Sequence, residues 1–361
     1  INLNQPVINI NNVNPSLSFE SNEFSFSSDI NIGQQGNSNS IQVNVDQEAI
    51  HGSMISIPLT FISNNGYTTI SVMQIQIGNL TVNDPMGPDN YGYYIYDMND
   101  TDYEIVPEYN WIEIDPDIGG DGNSISGLSD SGNNMDDVET IDLPFTFTYY
   151  GIDYDEVSIC TNGWISFGET DMRSFRNYTV PGPGGPSPIV AVFWDDLKTT
   201  SGGQIYTYHD TQENAFIIEW SQLRTYLNNS VETFQIILYD SGWQTPTGDD
   251  EMKIQFKEFN NTSIGDYPVG NYDGAVIHGQ YCTVGLENHL ASDGLQYTYN
   301  NSYHQAAMPL SDETAIFITT RTSFDLAEPS LEYDVNSFDF TLQGNEEISS
   351  QITLTNTGED G

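Results

Sequence analysis

The feature that most limits what this chain can fold into is a two-residue alternation of apolar and polar side chains. Between Leu143 and Thr320 the alternation recurs in about eleven short runs, which include LPFTFTY, EVSIC, IVAVFW and ETFQIILY. Successive side chains of a strand point to opposite faces, and helical periodicity is almost absent from the chain. The pattern predicts an all-β fold with essentially no helix, arranged as tandem β-sandwich modules, one immunoglobulin-like and one larger.

The stretch DEVSICTNGWISFG, residues 155–168, predicts a β-hairpin. Asn162-Gly163 is a strong turn signal, and a type I′ turn requires positive φ at both positions. By alternation Trp164 and Phe167 lie on opposite faces of the second strand. Trp164 either packs against a covered face or offers a platform for a ligand, and packing is favoured because Trp is usually buried. The aromatic candidates for ligand stacking are Trp164, Trp194, Tyr93 and Tyr297.

Composition shifts divide the chain into four parts. A stretch rich in Gly, Asp, Ser and Asn is typical of a linker and gives the clearest boundary. The predicted parts are residues 1–114 (an immunoglobulin-like sandwich with connecting strands), 115–140 (the linker), 141–320 (the large sandwich) and 321–361 (the start of a further immunoglobulin-like module).

An internal repeat relates the two ends of the chain. PSLSFESNEFSFS begins at Pro15 and PSLEYDVNSFDFT begins at Pro329, an offset of 329 − 15 = 314 residues, with identity at six of thirteen positions. A partial sandwich would leave unpaired strand edges. We therefore expect the chain to be a fragment of a longer modular protein, whose other modules are its first partners.

The charge balance excludes several classes of partner. Lys and Arg total 7 against 52 Asp and Glu, which gives a net charge of −45. Without a basic stripe the chain is not expected to bind nucleic acid, and without a long apolar run it is not expected to insert into a membrane. The acidic surface favours divalent cations, and we expect calcium as the cofactor.

Carboxylate and amide oxygens occur at short spacing in three places that could bind calcium. Strand-ending turns with solvated carboxylates are the alternative, and at the FWDDL stretch that alternative is favoured. The candidate ligands are Asp195 and Asp196 after Trp194, then Asp97, Asn99 and Asp102, and then Asp115, Asp117 and Asp121.

Cys160 and Cys282 both lie in alternating, strand-like stretches. They either form a disulfide or remain two buried thiols, and the extracellular character of the other features favours the disulfide. The sequence has no G-x-S-x-G, H-E-x-x-H or phosphate-loop motif, and a dyad of Cys282 with His278 or His289 is disfavoured because a mid-strand thiol would be buried. The chain is therefore predicted not to be an enzyme.

Two segments carry a resemblance to known families. The stretches LPFTFTYYGIDYDEVSICTNGWISFGE, PIVAVFWDDLKTTSGGQIYTY, AFIIEW and TVGLENHLASDGLQYTYN resemble a β-sandwich of secreted multidomain bacterial proteins and, more loosely, the nidogen-like extracellular domain. The upstream stretch DPMGPDNYGYYIYDMNDTDYEIVPEYNWIEIDPDIGG resembles the accessory region of gingipain-type cysteine peptidases that are type IX secretion cargo. The two cysteines depart from the small polar residues expected there, which fits an added disulfide.

The resemblance implies a secreted or cell-surface, non-catalytic accessory or stalk region that gives spacing and adhesion, with a cysteine peptidase domain outside this chain. Two alternatives remain open. The chain could be a carbohydrate-binding adhesin module, or a subunit of a self-assembling surface filament that uses β-strand complementation. The partners implied are glycans, surface proteins and further copies of the chain.

Overall fold

The structure is a computed structural model that describes residues 2–12, 14–132, 135–263, 279–323, 331–333 and 354–356. It confirms the all-β prediction, because its regular elements are strands and two short 3-10 helices, Pro116–Ile118 and Gly242–Gln244. Within these residues no helix is long and apolar enough to cross a membrane.

The N-terminal module contains six strands: β1 (Val7–Ile10), β2 (Leu17–Phe19), β3 (Glu23–Ser25), β4 (Val43–Val45), β5 (Met54–Ile62) and β6 (Thr68–Gln76). Four of them form an antiparallel sheet in the order β3-β1-β5-β6, and β2 pairs with β4. Its core is small and is built around the buried side chains of Leu17, Ile55, Ile57 and Leu59.

The large sandwich begins upstream of the position that the sequence predicts. Its strands are β7 (Tyr94–Asp97), β8 (Asn123–Ser124), β9 (Val138–Tyr149), β10 (Ile152–Cys160), β11 (Trp164–Phe167), β12 (Ile189–Trp194), β13 (Leu197–Lys198), β14 (Gln204–Asp210), β15 (Ala215–Thr225), β16 (Val231–Tyr239), β17 (Glu251–Glu258), β18 (Thr283–Glu287), β19 (Gly294–Tyr299), β20 (Ser302–Tyr303) and β21 (Thr314–Thr319).

These strands form two sheets around one core. One sheet has the order β20-β19-β18-β12-β11-β10-β9, and the other has the order β7-β21-β17-β16-β15-β14-β8 with β13 beside β15. Fully buried aromatic side chains fill the space between them, among them Phe147, Phe193, Trp220, Phe234 and Phe256. The apolar runs of β12 and β15 are interior strands of their sheets, as their composition indicates.

The segment before the predicted linker is part of the large sandwich. β7 pairs with β21, β8 pairs with β14, and both lie in the eight-stranded sheet. The boundaries predicted from composition leave β7 in the first part of the chain and β8 in the linker. The structure differs because strand pairing over long sequence separations leaves no local signal at residues 94–97.

An extended strap, residues 110–114, crosses the outer face of the eight-stranded sheet. Gln255, Gln235 and Glu219 are cross-strand neighbours on that face. The Gln255 amide exchanges hydrogen bonds with the Asn110 backbone at 2.6 and 2.9 Å. Farther along, Gln235 Nε2 donates to the Ile112 carbonyl at 3.2 Å, and the Ile114 amide donates to Glu219 Oε2 at 3.2 Å. A row of three side chains therefore holds alternate residues of the strap.

The last two strands reproduce part of the N-terminal module. β22 (Leu331–Tyr333) pairs with β23 (Leu354–Asn356), as β2 pairs with β4. The offset from Leu17 to Leu331 is 331 − 17 = 314 residues, the same as in the sequence repeat. The remainder of the predicted module 321–361, from residue 324 on, lies outside the described residues apart from these two strands.

Candidate functional site

The hairpin turn between β10 and β11 gathers most of the predicted site residues. Cys160 pairs with Trp164, so three residues form the loop, and Gly163 has a φ of +74°. Asn162 is absent from the residues with positive φ, so the expected type I′ turn is wrong. A three-residue loop with one left-handed Gly at its end is the next commonest hairpin connection and explains the same Asn-Gly signal.

Gly163 is required by close packing as well as by its backbone angle. Its carbonyl accepts hydrogen bonds from the amides of Val192 at 3.0 Å and Phe193 at 2.9 Å. A Cβ added at Gly163 would stand 2.0 Å from the Phe193 carbonyl oxygen. The turn is thus fitted against the irregular end of β12, where the pairing register shifts between Ala191 and Trp194.

Asn162 connects three segments through its side chain and carbonyl. Its Oδ1 accepts from the Leu197 amide at 2.9 Å, and its Nδ2 donates to Asp136 Oδ1 at 3.0 Å. Its carbonyl accepts from the Asp195 amide at 3.3 Å. We call the polar group around this turn, Asp130, Asp136, Asn162, Asp195, Asp196 and Glu232, the turn cluster.

The two predicted tryptophans meet on the outer face of the seven-stranded sheet. Both indole nitrogens donate to the same acceptor, the carbonyl of Ser174, Trp164 at 3.0 Å and Trp194 at 2.8 Å. They belong to a buried cluster with Cys160 and Val180, whereas Phe167 faces the core between the sheets. The predicted division of faces is confirmed, and the tryptophans anchor the segment that covers the sheet.

The predicted ligand-stacking role is wrong for all four aromatic candidates. Trp164, Trp194, Tyr93 and Tyr297 are each 0% exposed, so none of these rings can be reached by a ligand in this state. Their polar atoms bind protein groups: the Tyr297 hydroxyl donates to Asp97 Oδ2 at 2.8 Å, and the Tyr93 hydroxyl donates to Asp249 Oδ1 at 3.2 Å. All four side chains are packed inside the protein, which is the alternative that the sequence favours for Trp164.

Asp195 is the most strongly perturbed acid of the turn cluster. Its Oδ1 accepts from the Asp196 amide at 2.8 Å, whereas its buried Oδ2 has no hydrogen-bond partner among the described residues. Burial raises the pKa of the Asp195 carboxyl well above its usual range, and the nearby carboxyl groups of Asp196 and Glu232 raise it further. Asp195 is therefore a group that retains its proton or requires a compensating cation.

Three other acids of the turn cluster share this character. Burial raises the pKa of Asp130 to about 6, that of Asp136 to about 7 and that of Glu232 to about 7. Each acid also accepts hydrogen bonds that lower its pKa, and Glu232 accepts from the amides of Asn260 at 2.8 Å and Asn261 at 3.0 Å. These hydrogen bonds fix the positions of the loops, but they lower the pKa values by less than burial raises them.

In the second predicted calcium group, Asp97 already accepts hydrogen bonds from protein groups. Asp97 Oδ1 accepts from the Asn99 amide at 2.8 Å, and Asp97 Oδ2 accepts from Tyr297 and Met308. Asp102 is exposed in the same turn. Asp97 therefore joins its own turn to β19 and to the loop that follows β20.

The third predicted calcium group is similar. Asp115 caps the 3-10 helix by accepting from the Asp117 amide at 2.8 Å, and its second oxygen accepts from Ser221 at 2.7 Å. Asp117 and Asp121 are exposed. Among the described residues there is no group of three or more His, Cys, Asp or Glu side chains placed to hold a metal ion. Calcium binding at the eight predicted ligands stays a prediction.

The predicted disulfide is wrong. Cys160 and Cys282 are free, buried thiols. Cys160 ends β10 and Cys282 precedes β18, and two strands, β11 and β12, lie between these strands in the sheet. Three strand spacings of about 4.8 Å separate the two backbones by about 14 Å, far beyond the reach of a disulfide. The alternating pattern identifies both residues as strand-like, but it carries no information about which strands are neighbours.

The properties of the Cys282 thiol do not support the Cys-His dyad, which the sequence already disfavours. Burial raises the pKa of the Cys282 thiol well above its usual range, which opposes thiolate formation. His278, one of its proposed partners, lies outside the described residues.

Several buried acids outside the turn cluster are not among the predicted site residues, and Asp100 and Glu219 are the two with the most strongly raised pKa values. Burial raises the pKa of Asp100 to about 8 and that of Glu219 to about 8. Glu219 had a usable signal, because an acid inside the apolar run AFIIEW must be buried and bonded. Asp100 lies among many acids in a loop, and nothing local distinguishes it.

Comparison with known proteins gives one match. Residues 121–324 match the sequence profile of a family described as NIDO related. A search of curated proteins finds no match, and a search of solved structures finds none. The matched region includes both sheets of the large sandwich except β7, together with the whole turn cluster. Because it covers 324 − 121 + 1 = 204 of 361 residues, more than half of the sequence, this chain belongs to the NIDO-related family.

Proposed function

We propose that this chain is a non-catalytic extracellular accessory region in which the large sandwich is presented for adhesion. Family membership supports an extracellular modular domain. The proposal adds that the parent protein is secreted or surface-bound and protease-associated, as the resemblance of residues 84–120 to gingipain-type accessory regions implies.

The observation that carries the proposal is the pairing of the first and last strands of the large sandwich. The chain enters the large sandwich through β7 and leaves it through β21, and these two strands are antiparallel neighbours. Tyr94 at the start of β7 is paired with Thr319 at the end of β21. Such pairs have Cα atoms about 5 Å apart, so the chain comes in and goes out at one place.

This arrangement favours presentation over spacing. A sandwich whose incoming and outgoing strands are adjacent adds little to the length of a stalk and projects from its side. Contacts between the N-terminal module and the segments beside these strands support this arrangement. The Ser323 hydroxyl donates to Glu48 Oε2 at 3.0 Å, and His51 Nδ1 lies 3.0 Å from Asp84 Oδ1. The sandwich is thus carried as a lateral module beside the N-terminal module, with the segment that contains β22 and β23 following it in the chain.

The acids of the turn cluster support a non-catalytic function, because their described contacts join loops to the sheets. Calcium is proposed as the ion that stabilises this cluster. Its support is the buried Oδ2 of Asp195, for which the described part of the chain provides no hydrogen-bond donor. Asp195 and Asp196 would be its carboxylate ligands.

Presenting the purified chain to arrays of glycans and extracellular surface proteins tests this function. Saturable, reversible binding without chemical change of the captured molecule is the expected result. Hydrolysis of a captured molecule would overturn the non-catalytic proposal if Asp195→Asn or Glu219→Gln abolishes the activity and Asp171→Asn, at an exposed position, retains it.

A second candidate function, carbohydrate binding, is favoured by a cleft of about 500 Å³ between the N-terminal module and the sandwich. Its lining is uncharged although the chain carries a net charge of −45. It combines an aromatic ring with hydroxyl, amide and aliphatic groups, the chemistry that suits a neutral sugar. The lining includes Asn14, Ser53, Met54, Ser56 and Tyr94. A glycan-array signal that Tyr94→Ala removes and Tyr226→Ala leaves intact would support it, and a signal that survives Tyr94→Ala would contradict it.

A further inference from the structure

The free edge of the N-terminal sheet is long, regular and uncharged. β6 pairs with β5 over nine consecutive residue pairs with no register shift. No described strand pairs with the other side of β6, which leaves it at the end of the order β3-β1-β5-β6. Its sequence, TTISVMQIQ, contains no charged residue and no Pro. Native proteins normally protect such an edge with a charge, a bulge or a Pro, because it can pair with another chain.

The outward face beside this edge carries exposed apolar side chains. Ile70 is 73% exposed and Val72 is 56% exposed, and both lie on β6. On the same face of β5, Met54 is 55% exposed. Two β-branched side chains, spaced by two residues, form an apolar strip next to edge backbone groups that no strand in the described part of the chain pairs with.

Charge distinguishes this edge from the rest of the molecule. Residues 49–83 contain no Asp, Glu, Lys or Arg, whereas the whole chain has a net charge of −45. The opposite edge strand of the same sheet, β3, has three residues and includes Glu23. β9, the long edge strand of the seven-stranded sheet, includes Glu139 and Asp142. Two strongly acidic molecules therefore meet least repulsion at β6.

We propose that β6 is a self-association surface, at which two copies of this chain pair their β6 strands antiparallel about a twofold axis. The two four-stranded sheets then form one continuous sheet of eight strands. This inference goes beyond the proposed adhesion function and does not depend on it.

The register follows from the exposed side chains. With Ser71 on the twofold axis, Ile70 of one copy lies opposite Val72 of its partner, and the reverse holds on the other side of the axis. This register brings both exposed β-branched residues into cross-strand contact on the same face of the new sheet. Cross-strand pairs of apolar side chains stabilise antiparallel pairing.

A second copy fits this edge better than a peptide of different composition. The occupant must be extended, uncharged and apolar on alternate residues, and β6 itself has all three properties over nine residues. An isologous interface needs a self-complementary patch, which the Ile70–Val72 pairing provides.

Sedimentation equilibrium of the full chain tests the proposal. We expect a monomer–dimer equilibrium in the micromolar range that shifts toward dimer as NaCl rises from 50 to 500 mM, since salt screens repulsion between acidic chains. Ile70→Lys and Val72→Lys should each weaken the dimer at least tenfold. The matched control is Leu290→Lys, which places the same charge at a 69% exposed apolar residue on the sandwich and should leave the dimer intact.

A cysteine placed on the expected axis tests the register separately. Ser71→Cys should form a disulfide-linked dimer under mild oxidation, because residues facing each other on an antiparallel pair have Cα atoms about 5 Å apart. Both native cysteines are buried, so the wild-type chain is the negative control. Far-UV circular dichroism establishes that each variant is folded.

A wild-type chain that stays monomeric at all salt concentrations overturns the proposal. The proposal is also overturned if the dimer dissociation constants of Ile70→Lys and Val72→Lys equal that of Leu290→Lys. A dimer without cross-linking of Ser71→Cys overturns the register. None of these outcomes bears on ligand binding by the sandwich.

Discussion

At the scale of single residues, Gly163 shows how one turn position determines the packing of the sheet end. Gly163→Ala combines a left-handed φ with a Cβ 2.0 Å from a backbone oxygen, so we expect a loss of at least about 3 kcal/mol of unfolding free energy. Gly248 has φ +81° and open space around it, so Gly248→Ala should cost only about 1 kcal/mol. Urea unfolding of both variants measures the difference, and equal losses would show that the turn is not tightly packed.

Asp195 gives a second prediction at this scale. Its pKa is raised in the folded state, so the folded chain holds this proton more tightly than the unfolded chain. The free energy of unfolding therefore falls as pH rises above about 4. Asp195→Asn should therefore stabilise the chain more at pH 8 than at pH 5, as measured by thermal melting, because Asn carries no proton to lose. The exposed Asp171→Asn is the control, and a variant that is less stable at pH 8 in chelator would contradict the assignment of a neutral acid.

What could be predicted at this scale followed from alternation. The opposite facing of Trp164 and Phe167 is confirmed, because a strand's side chains alternate whatever its neighbours are. The unpaired thiols of Cys160 and Cys282 could not be predicted, because they depend on sheet order. The burial of Tyr93 and Tyr297 depends on loops from distant parts of the chain.

At the scale of elements, the strap of residues 110–114 is held by side chains of the sheet it crosses. Replacing Gln255 by the similarly sized, apolar Met removes both hydrogen bonds to Asn110. We expect exchange of the Asn110 amide hydrogen to accelerate at least tenfold, because each lost bond is worth about 1 kcal/mol. The Ile254 amide in the middle of β17 is the internal control. Unchanged exchange at Asn110 would mean that the strap is held by other contacts.

Most of the strands were predictable from the sequence, since the runs from LPFTFTY to AIFIT correspond to the strands from β9 to β21 other than the two-residue strands β13 and β20. The pairing of β7 with β21 was not readable, because it joins segments about 220 residues apart. The strap has no periodicity of its own. Two of its three partners, Gln235 and Gln255, are ordinary polar positions in the sequence, and only Glu219, inside the apolar run AFIIEW, signals a buried contact.

At the scale of the whole molecule, buried acids make stability depend on pH. Asp100, Asp136, Glu219 and Glu232 have pKa values of about 7 to 8 in the fold, well above those of an unfolded chain. The folded state binds more protons, so stability falls from about pH 4 to pH 8. In chelator, we expect the melting temperature at pH 8 to lie at least about 5 °C below that at pH 5. A flat profile, or a maximum at pH 8, would contradict this.

The calcium proposal is tested in the same melts. Millimolar CaCl₂ at pH 8 should restore part of the lost stability, because an ion that binds only the folded state stabilises it. MgCl₂ at equal ionic strength controls for screening, and Asp195→Asn should remove the calcium effect. No difference between CaCl₂ and MgCl₂ would exclude a calcium-specific site.

In the proposed arrangement the chain enters and leaves the large sandwich at one place, so that the sandwich is presented from the side. The direct test is dipolar coupling between spin labels on Tyr94→Cys and Thr322→Cys, with each single-label variant as the control. Cys160 and Cys282 are buried and remain unlabelled. The pairing of β7 with β21 predicts strong dipolar broadening in the double-labelled chain. Spectra that equal the sum of the two single-label spectra would place the incoming and outgoing strands apart and contradict the claim.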